Sequence, residues 1–365
     1  MRSLDSVLVY RIGSLGDTLV AVPALRAVRA HFPGARVTLL CDRQVGRSYV
    51  LASDLLHGSG LVDEFVYYPV DPSLVGRVLR PARMSRLLLD LRRRRFGAVV
   101  YLAGSNRPAA SIERDRRFFR SAGIPRLIGF DGFPAFPESR PIEGFAEVPQ
   151  ETDLLLARLA HDGVAVPPAG QADPRLPIGP EAREEFERWK EHLAPDGGRT
   201  WISMSPGTKQ AVNRWPLARY EETLRALVAR RDVWPVVFGG PEDVDDARRL
   251  VSACGRGHVA AGALSLAAAI RAMGACAFHL GNDTGTMHMA ASAGIRCVGV
   301  YASRNLPGLW FPYGSGHRVL RTPIDCENCQ LFECIDRKMA CILAITPSRV
   351  IEACEEILET AAGAR

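Results

Sequence analysis

Residues 11–34, RIGSLGDTLVAVPALRAVRAHFPG, follow directly on the apolar run Val7-Leu8-Val9-Tyr10. A short continuous β-branched run reads as a strand buried on both faces. It feeds a turn in which Gly13 and Gly16 permit a tight bend and a close approach of backbone to ligand, while Ser14 and the next amides offer donors. Asp17 then stands at the mouth of a helix. A carboxylate there caps the first amides, worth about 0.5–2 kcal/mol. On a loop at the carboxyl edge of a sheet it equally suits a general base. The glycine spacing is neither G-x-G-x-x-G nor the G-x-x-x-x-G-K of a P-loop, which disfavours an oxidoreductase.

The same strand-to-helix rhythm continues along the chain. Strands are expected at Val37 to Leu40, Phe65 to Tyr68 and Ala98 to Leu102, then at Trp201 to Ser205, Val233 to Phe238, Ala277 to Leu280 and Cys297 to Tyr301. Helices fall near residues 216–230, 242–253 and 286–293. Between the halves, VAVPPAGQADPRLPIGP carries five prolines and reads as a stiff connector. The expected fold class is therefore α/β, with two facing doubly wound, Rossmann-like domains and an interdomain cleft. Residues 1–168 form the first domain, 178–345 the second, and 346–365 a C-terminal helix that is a candidate to pack back on the first. Thr346 caps that helix, Pro347 opens it, and Val350, Ile351, Cys354, Ile357 and Leu358 make its apolar face.

Composition sets outer bounds. A chain of 365 residues with 47% hydrophobic and 24% charged residues is ordinary globular protein. Arg271 interrupts the best apolar stretch, ALSLAAAIRAMGACAF, short of a membrane span, and Asp5 and Arg11 come too early for a signal peptide. A soluble cytoplasmic protein is the expectation. The net charge of +6 is almost all arginine. Arg77, Arg80, Arg83 and Arg86 recur every third residue and Arg92 to Arg95 follow, which reads as a solvated helix face or an anion-binding one. Aromatic interleaving, zinc-finger spacing and RNA-binding signatures are lacking, so nucleic acid is not an expected partner.

Two further loops carry chemistry. In SMSPGTKQAVNRWPLARYEETLRAL (203–227), Thr208, Lys209 and Arg214 offer the charged donors a phosphate wants. In HLGNDTGTMHMAASAG (279–294), Asp283, Thr284, Gly285 and Thr286 lie where a helix begins, a place favourable to a diphosphate. His288 reads equally as a core histidine or a ligand contact.

Together with FGGPED at 238–243, these stretches resemble glycosyltransferase family 9, the ADP-heptose:lipopolysaccharide heptosyltransferases, in order and spacing over nearly the whole chain. The resemblance implies a GT-B fold, with the acceptor on the first domain and the nucleotide sugar on the second. It implies inverting transfer of heptose from ADP-heptose to a sugar hydroxyl of an anionic glycan or glycolipid such as the lipopolysaccharide inner core, with no cofactor required and peripheral contact at the inner membrane. By motif position Asp17 is implied as the base, and Thr208, Lys209 and Arg214 as phosphate contacts. Glu242 or Asp243 is implied as the nucleoside contact, and Asp283, Thr284, Gly285, Thr286 and His288 as the lining around donor sugar and diphosphate. One departure is that Asn213 stands where family members often carry lysine. The alternatives are the same scaffold acting on another nucleotide sugar or acceptor, and a non-catalytic sugar-nucleotide or metal-binding protein.

Nine cysteines are present, and Cys326, Cys329, Cys334 and Cys341 cluster in CENCQLFECIDRKMAC. That spacing admits structural zinc, an iron–sulfur cluster, a disulfide or reduced thiols.

Overall fold

The computed structural model describes residues 4–44 and 50–362, apart from the side chains of residues 69, 77, 361 and 362. The chain forms two compact units, one of the residues up to Phe136 with Glu151–Asp173, the other of Pro137–Gln150 with the residues from Pro174 onward.

Unit 1 is built on five parallel strands, β1 (Ser6–Tyr10), β2 (Arg36–Gln44), β3 (Glu64–Val70), β4 (Ala98–Tyr101) and β5 (Arg126–Ile128), in the order β3-β2-β1-β4-β5. Val9 pairs with Leu39 on one side and Val100 on the other, so β1 is central and its side chains are shut off from water. Unit 2 has six parallel strands, β6 (Trp201–Ser205), β7 (Trp234–Val237), β8 (His258–Val259), β9 (Phe278–Asn282), β10 (Arg296–Tyr301) and β11 (Arg318–Arg321), in the order β11-β10-β9-β6-β7-β8. In each sheet the strand order reverses once, between β1 and β4 and between β6 and β9, and such switch points are where open α/β sheets bind ligands.

The strands expected from sequence lie within a few residues of those found. The three additional ones, β5, β8 and β11, are edge strands of two to four residues, too short to leave an apolar run. The division of the chain differs from expectation in two ways. Residues 137–150 belong to unit 2, where Arg140 Nε donates to the buried Glu327 at 3.0 Å and the Val148 amide to Pro307 O at 2.9 Å. The helix Pro347–Ala362 packs within unit 2: Val350, Ile351, Cys354 and Ile357 enter the core around Trp215 and Leu224. Arg231 fastens it further, with Nη2 on Glu359 at 2.5 Å. No helix among the described residues is long and apolar enough to cross a membrane.

The arginine stripe lies on the helix Leu74–Arg94; the Arg77 side chain lies outside the described residues. Arg83 faces Asp71 at 3.4 Å, Arg94 pairs with Asp90 and Glu64, and Arg92 Nε donates to Ser121 O at 2.7 Å, so part of the stripe serves the fold.

All five tryptophans sit in unit 2, so fluorescence-detected unfolding reads that unit. Replacing the buried Ile357 by alanine is expected to lower its stability by about 2–5 kcal/mol, seen as an earlier urea midpoint at unchanged slope.

Candidate active site

In unit 1, β1 ends at Tyr10 and the chain turns through Arg11–Ser14 into the helix Leu15–Val20. Ser14 is the N-cap and Asp17 the third helical residue. Asp17 Oδ2 accepts from the Ser14 amide at 2.7 Å and from Ser14 Oγ at 2.8 Å, which satisfies free donors at the helix mouth. Its other oxygen faces Arg11 Nη2 at 3.4 Å, and about a quarter of the side chain is open to solvent (27%). Asp17 is thus both cap and accessible carboxylate. Gly13 has φ +128°, and a Cβ there would fall 2.5 Å from Asp17 Cγ, so only glycine leaves the carboxylate its place. Gly16 is a buried residue of the helix.

Arg11, beside this motif, is the residue that sequence reasoning passed over. Its buried guanidinium donates from Nε to Asp17 O at 2.7 Å and from Nη1 to Leu102 O at 2.6 Å, joining the loops after β1 and β4. Beneath it Glu151 accepts from the Ser105 amide at 3.1 Å and lies 3.8 Å from Arg11 Nη1. Burial raises the Glu151 carboxyl pKa, with Arg11 and then Arg158 pulling the other way. Burial also brings Arg158 down to about 10. Asp42 accepts from the Gly13 amide at 3.0 Å. Arg11 borders the motif in sequence, whereas Asp42, Glu151 and Arg158 come from distant segments that bear no local signature.

In unit 2, three loops emerge at the carboxyl ends of the neighbouring strands β9, β6 and β7, carrying residues 283–286, 206–214 and 239–243. Asn213 Nδ2 donates to Asp283 O at 3.0 Å and lies 3.4 Å from Asp283 Oδ2. Asn305 Nδ2 reaches the same carboxylate oxygen at 3.3 Å. Burial pushes the Asp283 carboxyl up to about 6, against the attraction of Arg304 and the hydrogen bonds from Asn305 and Asn213. Thr284 is the N-cap of the helix Gly285–Ser292 without using its hydroxyl as a cap, and Thr286 is in the first turn. Thr286 Oγ1 and Asn213 Oδ1 are buried and make no hydrogen bond within the protein, an arrangement suited to a polar ligand.

Thr208 is buried and accepts from the Gln210 amide at 3.3 Å; Arg214, exposed, donates to Thr208 O at 2.9 Å; Lys209 is exposed. Asp243 accepts from the Gly240 amide at 2.9 Å and is pressed against Gly207 and Gly239, where a Cβ would lie 2.5 Å and 2.9 Å from its Cγ. Burial raises the Asp243 pKa, the neighbouring Arg214 opposing. Glu242 is the exposed member of that pair, both standing in a short 3-10 turn after β7. His288 is buried, its ring 6.4 Å from that of Trp310. All the second-half candidates therefore belong to the loops and helix starts of one sheet edge. The four clustered cysteines are free thiols around a void of about 10 Å³, with Arg304 and Arg337 beside them. Among the described residues no three His, Cys, Asp or Glu side chains are arranged to hold a metal ion.

Each unit is Rossmann-like and carries its candidate loops at the switch point of its own sheet. The model of glycosyltransferase family 9 (heptosyltransferase) matches residues 168–340. Over 368 residues the chain is 26% identical to lipopolysaccharide heptosyltransferase 2 of Escherichia coli (strain K12), covering 96% of this chain and 98% of that protein. Among solved structures it is similar to the glycosyl transferase family 9 protein of Veillonella parvula DSM 2008, with a TM-score of 0.71, 21% identity and 98% of both chains covered. It is similar also to E. coli ADP-heptose lps heptosyltransferase II, with a TM-score of 0.68, 20% identity, and 97% and 99% covered. Residues 168–340 thus carry the match to glycosyltransferase family 9, and the chain is a glycosyltransferase built of two Rossmann-like units, the GT-B architecture.

A carboxyl whose pKa is raised on folding binds more protons folded than unfolded, so it costs stability as pH rises between the two values. For Asp283 that window runs from about 4 to about 6. Asp283→Asn is expected to gain on the parent protein across it, by up to about 3 kcal/mol at pH 7.5 relative to pH 4. Urea unfolding followed by tryptophan fluorescence at the two pH values measures the difference.

Proposed function

We propose that the protein transfers a heptose, with inversion, from ADP-heptose to a sugar hydroxyl of an anionic acceptor of the lipopolysaccharide inner-core type. The observation that carries this reading is the gathering of the 206–214, 239–243 and 283–286 loops on the carboxyl edge of β9-β6-β7, tied by the Asn213–Asp283 bond. Relatives named lipopolysaccharide heptosyltransferase 2 in E. coli and Salmonella typhimurium, each 26% identical, and an E. coli structure described as WaaC with ADP support the donor assignment.

The chemistry divides between the units. In unit 1 Asp17 accepts the proton of the attacking hydroxyl, and the Ser14 donors and Arg11 fix its orientation. In unit 2 Lys209, Arg214, Thr208 and the amides of Thr284, Gly285 and Thr286 hold the diphosphate and take up charge as the sugar leaves. Thr286 Oγ1 and Asn213 Oδ1 supply further hydrogen bonds. Asp283 and His288 border the donor sugar. Glu242 accepts from the ribose hydroxyls, being the open carboxylate of its turn, while Asp243 braces Gly207 and Gly239. With Asn213 in place of a lysine, the positive charge near the diphosphate comes from Lys209 and Arg214. Peripheral contact with an anionic membrane surface is supported by the helix Leu74–Arg94, which exposes Leu74 (79%) and Val78 (78%) next to arginines.

Two experiments test the reading. Asp17→Asn, which keeps an oxygen acceptor for Ser14, is expected to lower kcat at least about 100-fold while ADP binds as before; undiminished turnover removes Asp17 from the role of base. In a thermal-shift panel of nucleotide sugars, ADP-heptose at a hundred times its Kd is expected to stabilise by about 2.7 kcal/mol. A larger shift with a donor of another base or sugar transfers the assignment to that donor.

A further inference from the structure

Glycosyl transfer leaves the thiols of the stretch 326–341 without a role. Cys326, Cys329 and Cys334 are half-buried and Cys341 is buried; all four are free, and they line one void of about 10 Å³ together with Arg304 and Arg337. That is room for about one water molecule. Cys326 and Cys329 share a single turn, in which the Glu327 amide donates to Ile324 O at 3.2 Å. C-x-x-C on a turn is the spacing of dithiol redox sites, since it keeps two sulfurs within reach of each other. Between the two cysteines Glu327 is pinned, its buried carboxylate accepting from Arg140 Nε at 3.0 Å and pairing with Arg321.

The turn is tied to two of the loops at the sheet edge. The Asn328 amide donates to Ser303 O at 2.9 Å and the Gln330 amide to Arg304 O at 3.0 Å. Asn328 and Gln330 have φ of 60° and 57°, so these bonds hold the backbone on either side of Cys329 in the left-handed region that residues with a Cβ avoid. Arg304 returns the contact, its Nε donating to Leu331 O at 2.7 Å and its Nη2 to Gln330 O at 3.0 Å. Farther along, Phe332 O accepts from the Val212 amide at 3.1 Å. The stretch 328–332 therefore braces both the 206–214 loop and residues 303–305, and Asn305 in turn donates to the Asp283 carboxylate. Arg304 stands close enough to Cys329 to supply counter-charge for its thiolate, which makes Cys329 the thiol to react first. Burial, with Cys329, Asp325 and Cys341 nearby, raises the Cys326 pKa against the pull of Arg337, and Cys326 is left as the resolving thiol.

We propose that Cys326 and Cys329 form a thiol-oxidation site that a hydroperoxide closes to a disulfide, and that closure loosens the 206–214 and 303–305 segments braced by the turn. The Cys329 sulfur attacks the peroxide, forming S–O as O–O breaks; the displaced alkoxide takes up the thiol proton and leaves as an alcohol. The Cys326 sulfur then attacks the sulfur of the Cys329 sulfenic acid, S–S forms as S–O breaks, and hydroxide departs as water with the Cys326 proton. The two thiols lose two electrons and the peroxide gains them. Two non-bonded sulfurs must close to the disulfide length of about 2.05 Å. Glu327 is fixed by its arginines, so the movement falls on the Asn328 and Gln330 bonds.

Peptide mapping and hydrogen exchange on the intact protein test this without donor or turnover. After treatment with hydrogen peroxide or tert-butyl hydroperoxide the protein is denatured in N-ethylmaleimide and digested without reduction. Trypsin places Cys326, Cys329 and Cys334 in the peptide 322–337 and Cys341 in 339–349. The peptide 322–337 is expected to lack two hydrogens and to carry one maleimide, on Cys334, while the buried Cys41, Cys276, Cys297 and Cys354 remain thiols. Amides of 206–214 and 328–332 are expected to exchange at least about tenfold faster in the oxidised protein and to recover with dithiothreitol. Cys329→Ser is expected to show neither the link nor the faster exchange. A link to Cys334 or Cys341 instead, no link at all, or a Cys326–Cys329 link with unchanged exchange overturns the proposal. So does an equivalent of metal ion that purified protein keeps through dialysis against a chelator and that Cys329→Ser loses. One further arm rests on the donor site proposed above: oxidation is expected to weaken ADP binding about fivefold or more. Reduced protein that binds no ADP defeats that donor site and leaves the thiol site standing.

Discussion

A parallel sheet whose strand order reverses leaves a gap between the loops on either side of the reversal, and in each unit one buried polar side chain spans that gap. In unit 2 it is Asn282, the last residue of β9. Its Nδ2 donates to Pro206 O at 2.7 Å, and its Oδ1 accepts from the Trp215 amide at 3.2 Å, so one amide holds both ends of the 206–214 loop. In unit 1 it is Arg11, which joins Leu102 O to Asp17 O across β1 and β4. Buried groups of this kind carry a large penalty if any partner is lost, which is why the loops they hold are set in one conformation.

The two devices differ in charge, and so do the chemistries on either side. Unit 1 places a guanidinium beneath a carboxylate and supports it with the buried Glu151 and Arg158, a network worth less as stability than as orientation. Unit 2 uses neutral amides, Asn282 on the 206–214 loop and Asn213 and Asn305 on the Asp283 carboxyl, which burial raises to about 6. Arg304 is the cation that acts on that carboxyl, while Lys209 and Arg214 stand on the neighbouring 206–214 loop. The Trp215 indole, donating to Ile345 O at 2.9 Å, then ties this loop to the segment leading into the terminal helix.

That tie also explains the fate of the terminal helix. Its apolar face was legible, but its partner was not, because a stripe of Val350, Ile351, Cys354 and Ile357 fits any apolar surface of similar shape. The Arg231 pairs and the groove beside the helix Leu217–Arg231 decide it in favour of unit 2. The short edge strands β5, β8 and β11 escaped notice for a related reason: two to four residues with one neighbour need little hydrophobic pattern.

By itself the sequence determined the local elements whose physics is local. Continuous β-branched runs marked the central strands, glycine spacing and Ser14 marked the turn that presents Asp17, and the 206–214, 239–243 and 283–286 loops declared themselves by polar residues between apolar segments. Only the tertiary structure decided what those loops rest upon. Glu151 beneath Arg11, Asp42 on the Gly13 amide, and Asp243 wedged between Gly207 and Gly239 all join residues from separate segments of the chain. Burial and pairing between distant segments are properties of the packed chain, since a lone carboxylate or aromatic ring in a sequence carries no mark of the neighbour that will cover it.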